Sequence, residues 1–325
     1  MLINQDFTWD RTKYLGGSDI GAILGLSRFR TPLQVWQEKL GQEVPVRDSM
    51  PLRFGSFAEE FIALEYAKQT GSTVAEHPEP FLHPEHPFLA GHIDRFVLEP
   101  NYPLYGEDGN LNAKVLLECK TANPFAKDEW GEIGTDEVPM SYLVQCAWYL
   151  LLTGCDRADL AVFFSSSDFR IYTIHKDLEL EKLLLMKAVQ FWHAHVLTNT
   201  PPPPINDADC KLLYPKATAS KSIELKDSTL ALLKELPGLN QTAQECEERI
   251  SQIKQAVMQE MQDADTLLWQ GKTIATWKQP KPSFKFDSKK FTDEHPDLSG
   301  QYQVAIANSR RLIIKDSLLI KQEPL

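Results

Sequence analysis

The stretch LLECKTAN (Leu116–Asn123) places a glutamate and a lysine two residues apart at the end of an apolar run that begins at Val115. An apolar run closed by a small polar turn reads as a buried strand reaching the margin of a sheet. The period of two then sends Glu118 and Lys120 to one face and Cys119 to the other. A glutamate beside a lysine at a strand end has two readings. Most often it is an ion pair at the sheet margin, which contributes little. Alternatively, the carboxylate and the ammonium serve one substrate, and their neighbours decide between the two.

The segment Phe88–Asp94 reads as the end of a neighbouring strand that finishes in an aspartate, joined to the first strand through the polar turn Tyr105–Asn110. Asp94 on one strand and Glu118 on the next can converge on one divalent cation, and Mg²⁺ takes a few carboxylates plus waters. Lys120 beside them can position the attacking water and stabilise charge on a phosphoryl group. A third carboxylate, Glu59, follows Gly55 by about one helical turn, while Glu60 is rotated by roughly a hundred degrees and reads as its solvated neighbour. Together these residues form a constellation suited to phosphodiester hydrolysis. Taken alone, Asp94 would be an ordinary turn cap.

Outward from this centre, residues 1–200 alternate helix-like and strand-like segments, the pattern of an α/β domain. Helices are expected at Ser18–Gly25, Pro32–Leu40, Phe57–Gln69, Ser141–Thr153 and Leu178–Leu197. Strands are expected at Leu89–Leu98, Val115–Cys119, Leu160–Ser165 and Phe169–His175. The run Pro201–Pro204 cannot continue a helix and is placed as a connector. Residues 201–325 form an extension containing a long helix, whose Leu239, Ala243, Cys246, Ile250, Ile253, Val257 and Met261 step by threes and fours. That seam requires a partner helix or another subunit. A hairpin is expected at Asp265–Lys278, with further strands at Tyr302–Ile306 and Arg311–Lys315.

Composition narrows the class. The chain has 325 residues, 42% of them hydrophobic and 24% charged, which allows a sizeable core. Its formal net charge of −11 weakens a case for a simple phosphate-tracking protein. It leaves room for an enzyme that gathers cations at one site and carboxylates at a metal. The five cysteines lack the spacing of a disulfide framework, a zinc knuckle or a four-cysteine iron–sulfur cluster. With no signal-like start and no run of about 18 apolar residues, a cytoplasmic location is expected. His83 with His86, and His193 with His195, lack a third ligand at metal spacing. Trp130 reads as core, with base stacking as the alternative.

The motif order resembles the YqaJ-like viral recombinase family, relatives of bacteriophage lambda exonuclease within the PD-(D/E)xK nuclease superfamily. The matching pieces are Arg11 with Leu15–Ile20, Thr31-Pro32-Leu33 with Trp36 and Lys39-Leu40-Gly41, and Gly55 through Glu59 with Tyr66 and Thr70-Gly71. They continue with Ile93-Asp94, Glu118-Cys119-Lys120-Thr121, and Pro139 with Tyr142 and Gln145. The resemblance implies an α/β restriction-endonuclease-like core, a central mixed sheet flanked by helices, carrying a C-terminal helical and hairpin extension. It implies Glu59, Asp94, Glu118 and the Cys119 carbonyl as ligands of Mg²⁺, two ions per site, with Mn²⁺ able to substitute. Lys120 would assist the nucleophilic water, with Gln145 and Tyr142 orienting it. Arg11 and Ser18 would hold a terminal 5′-phosphate, and Arg28 is a candidate contact to duplex DNA. The implied activity is 5′-to-3′ degradation of one strand of duplex DNA, leaving a 3′ overhang for phage-type recombination. A homotrimeric ring, a single-strand annealing protein as partner, and a phage or prophage origin in a bacterial cytoplasm go with it. Two alternatives stay open: an endonuclease with the same metal site, and a non-catalytic DNA-binding assembly protein. Two departures from the family pattern are His92, where a small or hydroxyl residue is usual, and Arg95 in place of glycine.

Overall fold

The computed structural model describes residues 10–42, 49–302 and 310–315, which divide into two compact units, Met1–Leu213 and Tyr214–Leu325. In the first, α1 (Gly17–Ile23), α2 (Pro32–Lys39) and α3 (Met50–Thr70) precede the strands. Helix α2 starts where Pro32 occupies its first turn and Thr31 and Gln34 cap each other reciprocally. Helix α3 begins upstream of the expected Phe57, and ends at Gly71, whose φ of +71° is the left-handed conformation a glycine adopts without a Cβ penalty.

The short strands β1 (Thr73–Ala75), β2 (Phe81–Leu82) and β3 (Ala90–Gly91) lead to β4 (Arg95–Leu98) and β5 (Val115–Thr121). After α4 (Met140–Thr153) come β6 (Arg157–Ser165), β7 (Asp168–His175) and α5 (Leu178–Phe191). The sheet order is β1-β4-β5-β6-β7, antiparallel except for the parallel pair β5 and β6. A parallel pair needs a long crossover, and α4 supplies it. This is the expected α/β class, a central mixed sheet flanked by helices.

Two expected strands differ in a way that moves the site. The segment expected as one strand, Leu89–Leu98, is broken: Ala90–Gly91 pairs with Phe81–Leu82, and pairing to β5 starts only at Arg95. Asp94 therefore stands just before β4 rather than at the end of a strand. The break has a packing cause. A Cβ on Gly91 would lie 2.8 Å from Leu152 and 2.9 Å from Tyr149, so the chain hugs α4 there before switching sheets. Strand β5 runs two residues further than expected, to Thr121, which holds Glu118 and Lys120 inside the ladder opposite Leu160 and Val162.

The sheet separates two apolar layers. On one face Leu117 and Cys119 pack with Ala58, Ile62 and Tyr66 of α3. On the other, Leu116 joins the larger core of α1, α2, α4 and α5, with Trp148 fully buried and its indole N–H donating to the Ala90 carbonyl at 2.9 Å. Beyond Pro201–Pro204, helix α6 (Asp207–Leu213) still belongs to this unit. Its buried Asp209 accepts hydrogen bonds from the Thr31 hydroxyl (2.8 Å) and the Ile205 N–H (3.1 Å), tying it to the start of α2.

In the second unit, α7 (Asp227–Met261) is followed by the hairpin β8 (Thr266–Trp269) and β9 (Lys272–Thr276). The two-residue turn has positive φ at both Gln270 (49°) and Gly271 (77°), which matches the twist of the strands it joins. Short helices α8 (Ser288–Glu294) and α9 (Pro296–Gln301) follow. Of the expected C-terminal strands, residues 303–306 lie outside the described residues. Arg311–Lys315 forms no regular element among the described residues.

Candidate active site

Strand β5 and helix α4 build the centre of the site. Glu118 projects to the α4 face and is buried, where Gln145 Nε2 donates to its Oε1 at 2.7 Å. Lys120, on the same face of β5, pairs with that same oxygen. The other carboxylate oxygen, Oε2, is buried without any hydrogen-bond partner. A buried carboxylate oxygen left unpaired carries its full desolvation penalty, so it marks a place where positive charge is missing. Tyr142, one turn before Gln145, sets its ring 6.0 Å from the Lys120 ammonium and stacks on buried Trp130. Trp130 is therefore core.

Asp94 and Glu59 reach the site from elsewhere. Asp94 Oδ2 accepts from the Cys119 backbone N–H at 2.8 Å, which fixes the loop before β4 against β5. Glu59 comes from α3, on the opposite face of the sheet, and is held at 2.9 Å by Arg95, which also reaches Glu60 at 2.6 Å. The Cys119 side chain points into the α3 layer as alternation requires. Glu60 shares Arg95 with Glu59 while staying largely exposed, the solvated position expected for it.

The electrostatics are those of an acid-rich pocket. Burial, then Asp94, then the more distant Glu59 push the Glu118 carboxyl up to about 8, against the pull of Lys120. Burial and Asp94 also raise Glu59, partly offset by Arg95 and His92. Burial opposes the Lys120 ammonium, yet Glu118, Asp94 and Tyr149 outweigh it and hold lysine protonated. Among the described residues no three His, Cys, Asp or Glu side chains already stand in coordinating positions, and Glu59 is turned to Arg95. The donor set nonetheless fits a hard divalent cation: oxygen ligands of one charge sign, one oxygen unpaired, and carboxylates that resist ionising together.

A second ionic cluster lies under α1. Asp19, fully buried, is met by Lys39 at 2.9 Å, Arg30 at 2.7 Å and Arg11 at 3.5 Å. Glu38 takes Arg30 at 2.6 Å and Arg11 at 3.5 Å. Arg11, 53% exposed, also donates to the Ser18 hydroxyl at 3.1 Å, so the two expected phosphate-binding residues are brought together. Lys39, Arg30 and Arg11 overcome the cost of burial and hold Asp19 well below the usual carboxylate range.

Tyr149 lies between the clusters. Its hydroxyl accepts from Gln145 at 3.0 Å, and its ring packs so tightly on α1 that a Cβ on Gly17 would fall 2.6 Å from it. Tyr149 does not stand out in the sequence as functional, and of the Asp19 cluster only Arg11 is assigned a role there. The usable signal for Tyr149 was its position four residues after Gln145, on the same helical face. Arg28, expected near DNA, is 69% exposed and pairs with Glu129 at 2.7 Å; it does not join either cluster. Among the described residues no helix is long and apolar enough to cross a membrane.

Residues 6–156 match the family model of the YqaJ-like viral recombinase domain. The chain is 30% identical over 305 residues to the uncharacterized protein YqaJ of Bacillus subtilis (strain 168), covering 91% of this chain and 90% of that one. Among solved structures it is similar to an alkaline exonuclease from Laribacter hongkongensis, at 16% identity and a TM-score of 0.45, over 58% of this chain and 91% of that one. It is also similar to a phage related exonuclease from Haemophilus somnus 129PT, at 14% identity and a TM-score of 0.43, over 57% and 95% of the two chains.

Proposed function

The chain belongs to the YqaJ-like viral recombinase family, and from that premise we propose that it is a Mg²⁺-dependent exonuclease. It would resect the 5′-ended strand of duplex DNA to leave a 3′ overhang for recombination by strand annealing. The observation that carries the reading is Glu118: buried, raised in pKa, bonded through one oxygen to Lys120 and Gln145, and unpaired at the other.

In this reading Glu118, Asp94 and Glu59 hold the metal, together with the Cys119 carbonyl; two ions per site are proposed, with Mn²⁺ as a substitute. The ion, when bound, lowers the pKa of a water and offsets charge on the phosphodiester oxygens. Gln145 fixes Glu118 Oε1 and leaves Oε2 for a cation. The Lys120 ammonium, kept charged by Glu118 and Asp94, directs the water and donates toward the developing negative charge. Tyr142, braced by Trp130, limits where the lysine can swing. Glu59 must exchange Arg95 for the ion, which makes Arg95 a competitor at that ligand. Arg11 and Ser18 take a 5′-terminal phosphate through a guanidinium fork and a hydroxyl, and Arg28 contacts the duplex. A ring of three copies and an annealing protein as partner complete the proposal.

Digestion of linear duplex labelled at the 5′ or the 3′ end, with and without 5′-phosphate and with EDTA as control, tests it. Metal-dependent release from phosphorylated 5′ ends, with closed circles left intact, is the expected result. Cutting of closed circles would assign an endonuclease, and binding without metal-dependent cleavage would assign an assembly protein.

A further inference from the structure

The middle of the seam on α7 is left open. Ile250 and Ile253 are each 52% exposed, although the spacing of Cys246, Ile250, Ile253 and Val257 is that of a helix-pairing stripe. Pro237 lies inside the helix, and the stripe runs from Leu239 onward. Hairpin strand β9 gives it one wall. Ala275 and Trp277 line an apolar groove with Ile253, Val257, Met258 and Met261.

The charges flanking the stripe select its partner and direction. The side chains pairing along α7 are Gln241 with Glu245, Gln244 with Glu248 and Arg249 with Gln252, which leaves out Glu247 and Lys254 on the edge of the seam. We propose that α7 pairs antiparallel with α7 of a second copy of this chain. When Ile250 meets Ile253 of the second copy, Val257 falls opposite its Cys246. Glu247 then lies beside its Lys254, and the two-fold axis makes each contact twice. A parallel in-register pair would instead set Arg249 beside the second copy's Lys254, a like-charge contact also made twice. Charge complementarity therefore favours the antiparallel pair. Being two-fold, it cannot close a three-fold ring, so it doubles whatever assembly the first unit forms and stands apart from the nuclease reading.

The test is the mass of the full-length protein by light scattering on a sizing column. The wild type is expected at an even number of copies, and Ile250→Glu with Ile253→Glu at half that mass. Lys254→Glu alone is expected to weaken association at least tenfold, and adding Glu247→Lys is expected to restore it. Under copper phenanthroline in air, the wild type is expected to give no Cys246 dimer, since the two thiols lie roughly 16 Å apart along the axis at 1.5 Å per residue. Val257→Cys is expected to cross-link to Cys246. An odd or single-copy wild-type mass, no change on placing glutamates in the seam, tighter association of Lys254→Glu, or ready cross-linking of wild-type Cys246 would each overturn the proposal. Association with an unrelated protein in place of self-association would do the same.

Discussion

The two ionic clusters of the first unit are built from the same residue types in opposite proportion. Around Glu118, the carboxylates Glu59, Glu60, Asp94 and Glu118 outnumber the cations Lys120 and Arg95 that pair with them. Around Asp19, the cations Arg11, Arg30 and Lys39 face Asp19 and Glu38. The first leaves an oxygen unpaired and a carboxyl pushed up to about 8. The second saturates its buried acid and still carries surplus positive charge toward the half-exposed Arg11. In the proposed reading, the cluster short of positive charge takes a cation and the one with an excess takes an anion.

The sharpest way to break this contrast is to remove the lysine of the acid-rich cluster. Lys120→Ala is expected to lower Mg²⁺-dependent degradation of linear duplex by about 10² to 10⁴-fold, the range for loss of a group that moves or directs protons. Full activity in that variant would mean that the acid-rich pocket is only structural. The opposite cluster is expected to answer in stability. Asp19→Ala leaves three cations without their buried counter-charge, and should cost about 3–5 kcal/mol in urea unfolding. Because the folded value of Asp19 is depressed, this contribution is present above the ordinary carboxylate range. It is lost as pH falls through the folded value, so the gap to wild type should narrow in acid.

A smaller effect is expected at the margin of the cation-rich cluster. Arg11→Ala should reduce degradation of 5′-phosphorylated ends by about tenfold, the worth of one charge-assisted hydrogen bond, and leave unphosphorylated ends nearly unaffected. Equal loss on both substrates would detach the cluster from the phosphate. The gentlest test is titration of Mn²⁺ into the metal-free protein. Since Glu118 is raised to about 8, binding at pH 7 should expel a proton, seen as a buffer-dependent heat in calorimetry. Apparent affinity should strengthen as pH rises toward 8 and then level off. Proton-free binding at pH 7 would place the metal away from Glu118.

The sequence made the acid-rich cluster more legible than its counterpart. Alternation alone put Glu118 and Lys120 on one face, and helical spacing put Tyr142 and Gln145 together, because both are local regularities of one element. It did not reveal that β3 stops at Gly91 or that Asp94 sits before β4. That break is imposed by α4, far along the chain, pressing on a residue with no side chain. Nor did it give Arg95 a partner, since Glu59 approaches over the opposite face of the sheet. The Asp19 cluster draws on Arg11, Asp19, Arg30, Glu38 and Lys39, which are periodic with nothing; the packing of α1, α2 and the turn Arg11–Lys13 assembles them. Leu239–Met261 of α7 is the reverse case: its stripe was plain in the sequence, and its large isoleucines stay exposed in the fold.

The phenol ring of Tyr149, wedged between Gly17 and Gly91, acts as a spacer of fixed thickness. Aromatic rings do not compress, and neither glycine can gain so much as a methyl group without pushing the ring aside. The spacing between Gly17 of α1 and Gly91 of β3 is thus held by one side chain, as a gauge block sets the opening of a caliper. A substitution at either glycine would be felt at both ends at once, although it alters no charge in either.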